Sequence, residues 1–129
     1  GLGLTIQYGA PHLNLSLYIY NKGSERIDCN ETPELFRAEF EAAVSDIVLT
    51  HPQAEPGIFR EQDGLLFKAF SIDSAYSCLM LMTARNHFIK VRATQSGTDD
   101  GYVFDCLMES LNVIASMIKL ENAPSLAVQ

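Results

Sequence analysis

Polar and apolar positions alternate one for one over residues 13–20, with Leu13, Leu15, Leu17 and Ile19 set against Asn14, Ser16, Tyr18 and Tyr20. A period of two over that length predicts a strand with one buried face. A shorter strand-like run, residues 4–8, precedes it across a turn at Gly9-Ala10-Pro11. From Ala75 to Ala84 the chain is almost wholly apolar; from His87 to Thr94, Phe88, Lys90 and Arg92 alternate with Ile89, Val91 and Ala93. The short gap between these two runs predicts a β-hairpin over 75–95, and the other elements extend or cover it. Leu65 to Ile72 is a further strand, whose Leu66, Phe70 and Ile72 share a side with Lys68.

The hairpin turn decides which side chains meet. Arg85-Asn86 is a poor pair for a two-residue type I′ turn, because Arg85 would need a positive φ. A type I turn over Ala84 and Arg85, with Asn86 left-handed, suits these residues better. That register puts Leu79, Leu81, Ile89, Val91 and Ala93 on one face. Tyr76, Cys78, Met80, Met82, Phe88, Lys90, Arg92 and Thr94 go on the other. A slip of one residue would instead place the methionines with Ile89 and Val91.

Two segments carry the helical period. Thr32 and Pro33 read as N-cap and first helical residue, with Glu34 complementing the positive helix end. The helix runs to about Leu49 on a stripe of Phe36, Phe40, Ala43, Val44, Ile47 and Val48, and His51-Pro52 ends it. A second helix is expected over 102–120, capped by Asp99 or Asp100, with Val103, Phe104, Leu107, Met108, Leu111, Ile114, Ala115 and Ile118 inward. Residues 21–32 and 51–64 read as loops, and 122–129 as a loose tail after a single domain over 1–121. The expected order is β-β-α-β-β-β-α: an α+β fold with a largely antiparallel sheet of about five strands and two helices. The helices are expected on the Leu13/Leu15/Leu79/Leu81 face.

Composition narrows the function classes. A chain of 129 residues suits one domain and buries roughly two thirds of its unfolded surface. Hydrophobic residues make up 47% and charged ones 19%, which excludes disorder for the bulk. The net charge of −7 and pI near 4.8 argue against nucleic acid and leave no polybasic segment for anionic lipid. No apolar run is long enough for a transmembrane helix. No leader is present, which is uninformative because a leader is removed from a mature chain. Cys29, Cys78 and Cys106 show no C-x-x-C spacing and read as free thiols.

The mixed hairpin face is the best candidate site. Tyr18, Tyr20, Tyr76, Phe88, Lys90 and Arg92 combine aromatic area with two cations, which suits an anionic or peptide-like partner. The competing reading is a partly solvated face on which the cations cover the tyrosines. Cys78, Met80 and Met82 with His87 resemble a soft-metal set, but sulfur side chains in a strand more often fill a core. His12, His51 and His87 have no zinc-binding spacing. Cys29 lies among acids and Cys106 follows Asp105, so neither is set up as a nucleophile. Asp99-Asp100 beside Thr98 is a helix cap before it is a calcium site. No catalytic residue, metal or cofactor is expected.

The stretch Leu79–Thr94, with Leu17-Tyr-Ile-Tyr-Asn-Lys-Gly and the helix around Phe36-Arg-Ala-Glu-Phe-Glu, resembles a group of small, typically exported bacterial proteins of unknown function. That group is similar to the Mog1/PsbP-like α/β class, and carries glycine where this chain has Asn86. The resemblance implies a periplasmic or secreted location and a non-enzymatic accessory or binding role. The alternative is an acidic, homodimeric, secretion-chaperone-like protein in the cytoplasm, which small size and low pI fit. An enzyme using the sheet face as a pocket ranks last, for want of a catalytic constellation.

Overall fold

The computed structural model describes residues 4–10, 13–21, 23, 26–62, 64–73 and 75–96. The helix expected over 102–120 and the tail over 122–129 lie outside these residues. So do Cys106, Asp99 and Asp100. The described chain is α+β: strands β1 (Leu4–Ala10) and β2 (Leu13–Tyr20), helix α1 (Pro33–Thr50), then β3 (Glu55–Gln62), β4 (Leu65–Ile72), β5 (Ala75–Ala84) and β6 (His87–Ser96). They form one antiparallel sheet in the order β1-β2-β6-β5-β4-β3, so the predicted hairpin lies at its centre.

Among the described residues the sheet has six strands where about five were expected, because residues 55–62 are a strand and not a loop. Pro56 and Gly57 suggested a break. At an edge, however, a proline's missing N–H disturbs no inner ladder, and the register shifts between Pro56 and Phe59 to absorb the irregularity.

The register of the central hairpin also corrects the expectation. Ala84 pairs with His87, and both Arg85 (φ 49°) and Asn86 (φ 62°) are left-handed. The turn therefore has the two-residue geometry that twists with the strands. With one loop residue fewer, odd positions of β5 meet even positions of β6: Leu79 faces Arg92 and Leu81 faces Lys90, while Met80 faces Val91 and Met82 faces Ile89. The loop before the helix is fastened to this turn. The Ile27 amide donates to Asn86 Oδ1 (3.4 Å), and the Cys29 amide to Thr83 Oγ1 (2.9 Å). Ile27 itself is 1% exposed and joins the core, although it sits in a segment read as a polar loop.

Helix α1 starts and stops where its sequence requires. Thr32 is the N-cap and Pro33 the first helical residue. The Thr32 hydroxyl does not cap the helix; it donates to the Asp28 carbonyl (2.8 Å) and accepts from the Asp28 amide (2.9 Å), closing the preceding turn. Phe36, Phe40, Ala43 and Ile47 pack on Leu66, Phe70, Ile72, Leu79, Leu81 and Phe88. Each large side chain so buried contributes about 1.5–3 kcal/mol. Val48 was expected in this stripe but is 45% exposed, since it lies past the edge of the buried arc.

The opposite sheet face is a second apolar cluster of Phe67, Ala69, Cys78, Met80, Met82, Ile89, Val91 and Ala93, flanked by Leu15, Leu17 and Ile19. The helix therefore lies on the Leu79/Leu81 face as expected, but Leu15 belongs to the other.

Arg85 holds a left-handed conformation that asparagine adopts at lower cost. Arg85→Asn is expected to stabilise the protein by about 0.5–1 kcal/mol, read from the urea midpoint. No gain would indicate the three-residue loop, in which Arg85 has a negative φ.

Candidate functional site

The β2–β6 pairing brings five of the six sequence-derived site residues together. Tyr18 lies opposite Lys90, Tyr20 opposite Phe88, and Ser16 opposite Arg92, all on the face that carries α1. Tyr76 pairs with Gln95 and points to the other face, with Met80 and Met82. Its assignment to the mixed face is thus corrected, and the cause is the shorter turn.

Helix α1 covers only part of this face. Its apolar stripe sits over β4, β5 and the start of β6, where Phe88 is 1% exposed. Beside it runs a half-buried strip of Ser16, Tyr18, Lys90, Arg92 and Thr94. Tyr20 marks the boundary. Its ring stacks at a tilt on Phe88, with centroids 5.5 Å apart, and its hydroxyl donates to Glu39 Oε2 of α1 at 2.6 Å. Burial and the Glu39 carboxylate together push the Tyr20 hydroxyl well above the usual phenol range, so it stays a donor.

The two cations are held differently. Lys90 Nζ lies 4.9 Å from the centre of the Tyr18 ring and 5.6 Å from that of Tyr20, so two π faces support one ammonium. Arg92 Nη2 donates to Ser77 Oγ (2.9 Å), which lies 3.3 Å from Thr94 Oγ1. Arg92 Nε is buried and has no hydrogen-bond partner among the described residues. Burial lowers the affinity of Arg92 for its proton, and nearby Cys78 and Tyr18 oppose that shift. Among the described residues, neither Lys90 nor Arg92 forms an ion pair.

Ser77 and Glu39 were not singled out from the sequence. In the expected register Ser77 faced away from Arg92, so no signal connected them. Glu39 lay on a helix flank whose direction depends on how α1 docks. The readable clue was chemical: a lone serine, fully buried within an apolar strand, needs a polar partner.

The sulfur-rich set is packed away from this chemistry. Cys78, Met80 and Met82 lie within the second apolar cluster, and His87 Nδ1 is 2.8 Å from the Arg85 carbonyl. Burial pushes the Cys78 thiol up to about 12, against the opposing pull of Arg92. A thiol so held is neutral at physiological pH and is not a ready nucleophile. No three His, Cys, Asp or Glu side chains among the described residues converge as metal ligands. No described helix is long and apolar enough to cross a membrane.

No protein-family model matches this chain, and no curated protein is significantly similar to it in sequence.

Both raised groups, Tyr20 and Cys78, bind their protons more tightly in the fold than in the unfolded chain. Their contribution to stability is therefore full below the unfolded values and lost as pH rises through the folded ones. Stability is expected to fall as pH climbs from the ordinary thiol value of 9.0 toward about 12. Cys78→Ala is expected to flatten that fall in urea unfolding measured across the range, and an unchanged slope would contradict it.

Proposed function

We propose that this chain is a non-enzymatic binding protein, and that its Tyr18–Tyr20–Phe88–Lys90–Arg92 strip receives an anionic group of a peptide-like partner. One observation carries the reading. In a chain with 16 acidic and 9 basic residues, two half-buried cations sit two positions apart on β6 with no carboxylate partner among the described residues. Partly buried charge is costly unless it is paired, and a partner's carboxylate supplies the missing group.

The aromatic residues support the same reading. Tyr18 and Tyr20 hold Lys90 in place, which lowers the side-chain entropy lost on binding. They also offer stacking area beside the charge. The high pKa of Cys78 and the backbone contact of His87 favour binding over nucleophilic catalysis. The resemblance to small exported bacterial proteins supports an accessory role in the cell envelope.

The competing reading, in which Lys90 only covers the tyrosines, is separated by Lys90→Met. Methionine keeps an apolar stem over the rings and loses the charge. The probe is a short glutamate-rich peptide, with its glutamine counterpart as control, followed through backbone amide shifts. Wild type is expected to show saturable shifts at Tyr18, Lys90 and Arg92 with the acidic peptide alone. Lys90→Met combined with Arg92→Gln is expected to weaken binding about tenfold or more, the loss of a charge-assisted bond. Equal binding of both peptides, or full retention in the double variant, would overturn the proposal.

A further inference from the structure

A second site lies on the same side of the sheet, beyond the far flank of α1. A cleft of about 330 Å³ opens between α1 and the β3–β4 pair. That volume is near the lower end for small-molecule sites. Phe40, Val44, Phe59 and Leu66 line it with apolar surface, and Lys68 and Arg37 bring charge. Phe40 and Leu66 belong to the buried core, at 5% and 1% exposure. Phe59 on β3 leans on Phe40, with ring centroids 6.0 Å apart, yet remains 50% exposed. One wall of the cleft is thus an aromatic ring with an unfilled side.

The charges are ordered by depth. Arg37 is ion-paired with Glu61 of β3, and the nearby Glu41 strengthens its hold on its proton. Arg37, Glu41 and Glu61 are all exposed, where solvent and salt screen them. Lys68 is half-buried on the floor strand β4, directly opposite Phe59. Among the described residues its ammonium forms no ion pair, and its Nζ lies 5.8 Å from the centre of the Phe70 ring. The least screened charge in the cleft is therefore a cation without a carboxylate partner among the described residues, next to apolar walls.

We infer that this cleft binds a monocarboxylate with a medium-length apolar tail, the carboxylate on Lys68 and the tail between Phe40, Val44, Phe59 and Leu66. Charge complementarity at Lys68 selects the acid over the matching alcohol or amine. The small volume favours a tail of about eight carbons over a full-length lipid. This site is separate from the Lys90–Arg92 strip, since Lys68 lies on β4 and the strip on β2 and β6.

The test uses the labelled full chain with three probes: butyrate, octanoate and 1-octanol, each below its aggregation limit. Octanoate is expected to shift the amides of Val44, Phe59 and Lys68 saturably. Each methylene added between butyrate and octanoate is expected to tighten binding about threefold to fourfold. Octanol is expected to bind about tenfold more weakly than octanoate. Lys68→Gln is expected to abolish that preference while leaving octanol unchanged. Phe59→Ser, at an exposed edge position, is expected to weaken both. Equal binding of octanoate and octanol to wild type would overturn the inference without recourse to any variant. So would an absence of saturable shifts, or shifts confined to Lys90 and Arg92.

Discussion

The two-residue turn at Arg85-Asn86 is the constraint on which the arrangement of the sheet depends. A strand has a side-chain period of two, so one loop residue more or fewer exchanges the faces of β5 relative to β6. With Ala84 paired to His87, Leu79 and Leu81 share a face with Phe88, Lys90 and Arg92. The same pairing gathers Met80, Met82, Ile89 and Val91 into the second cluster. Two left-handed residues in succession, one of them arginine, are the local cost of that register. Burial of both faces more than offsets it, because each misplaced large side chain would forfeit about 1.5–3 kcal/mol.

The turn is also reinforced from outside the hairpin. Asn86 and Thr83 accept backbone amides from the loop that leads into α1, and Ile27 of that loop fills the core beneath the helix. The helix then inherits its position from the hairpin. Its Glu39 meets Tyr20 at one flank, and its Phe40 meets Phe59 at the other. The parts of the sheet face that α1 leaves uncovered lie on these two sides, and each presents a half-buried lysine next to aromatic rings. Among the described residues, the narrow footprint of α1 on a wide sheet accounts for half-buried lysines on both sides of it.

Much of the site was legible before the tertiary structure. Alternation along β2 puts Tyr18 and Tyr20 on one side of their strand, and alternation along β6 does the same for Phe88, Lys90 and Arg92; the β2–β6 register then sets both groups on one face. Tyr76 did not follow, because it reaches the group only through the β5–β6 register. Ser77 replaced it as the neighbour of Arg92 for the same reason. The edge strand β3 was hidden by Pro56 and Gly57, whose local preference for turns is overridden where a bulged edge can take up the irregularity. The cleft at Lys68 depends on that strand, so no reading of 51–64 as a loop could have found it.

Local periodicity by itself determined the α+β class, the antiparallel hairpin, the start of α1 at Pro33 and its end at His51-Pro52. Each rests on interactions within a few residues: proline's fixed φ, the helical stripe, the alternation of a strand. Tertiary structure alone decided which faces coincide, which side of the sheet α1 takes, and which cations have no ion-pair partner among the described residues. Those outcomes are set by contacts between residues far apart in sequence. There, the free energy of burying two whole faces outweighs the turn preference of a single arginine.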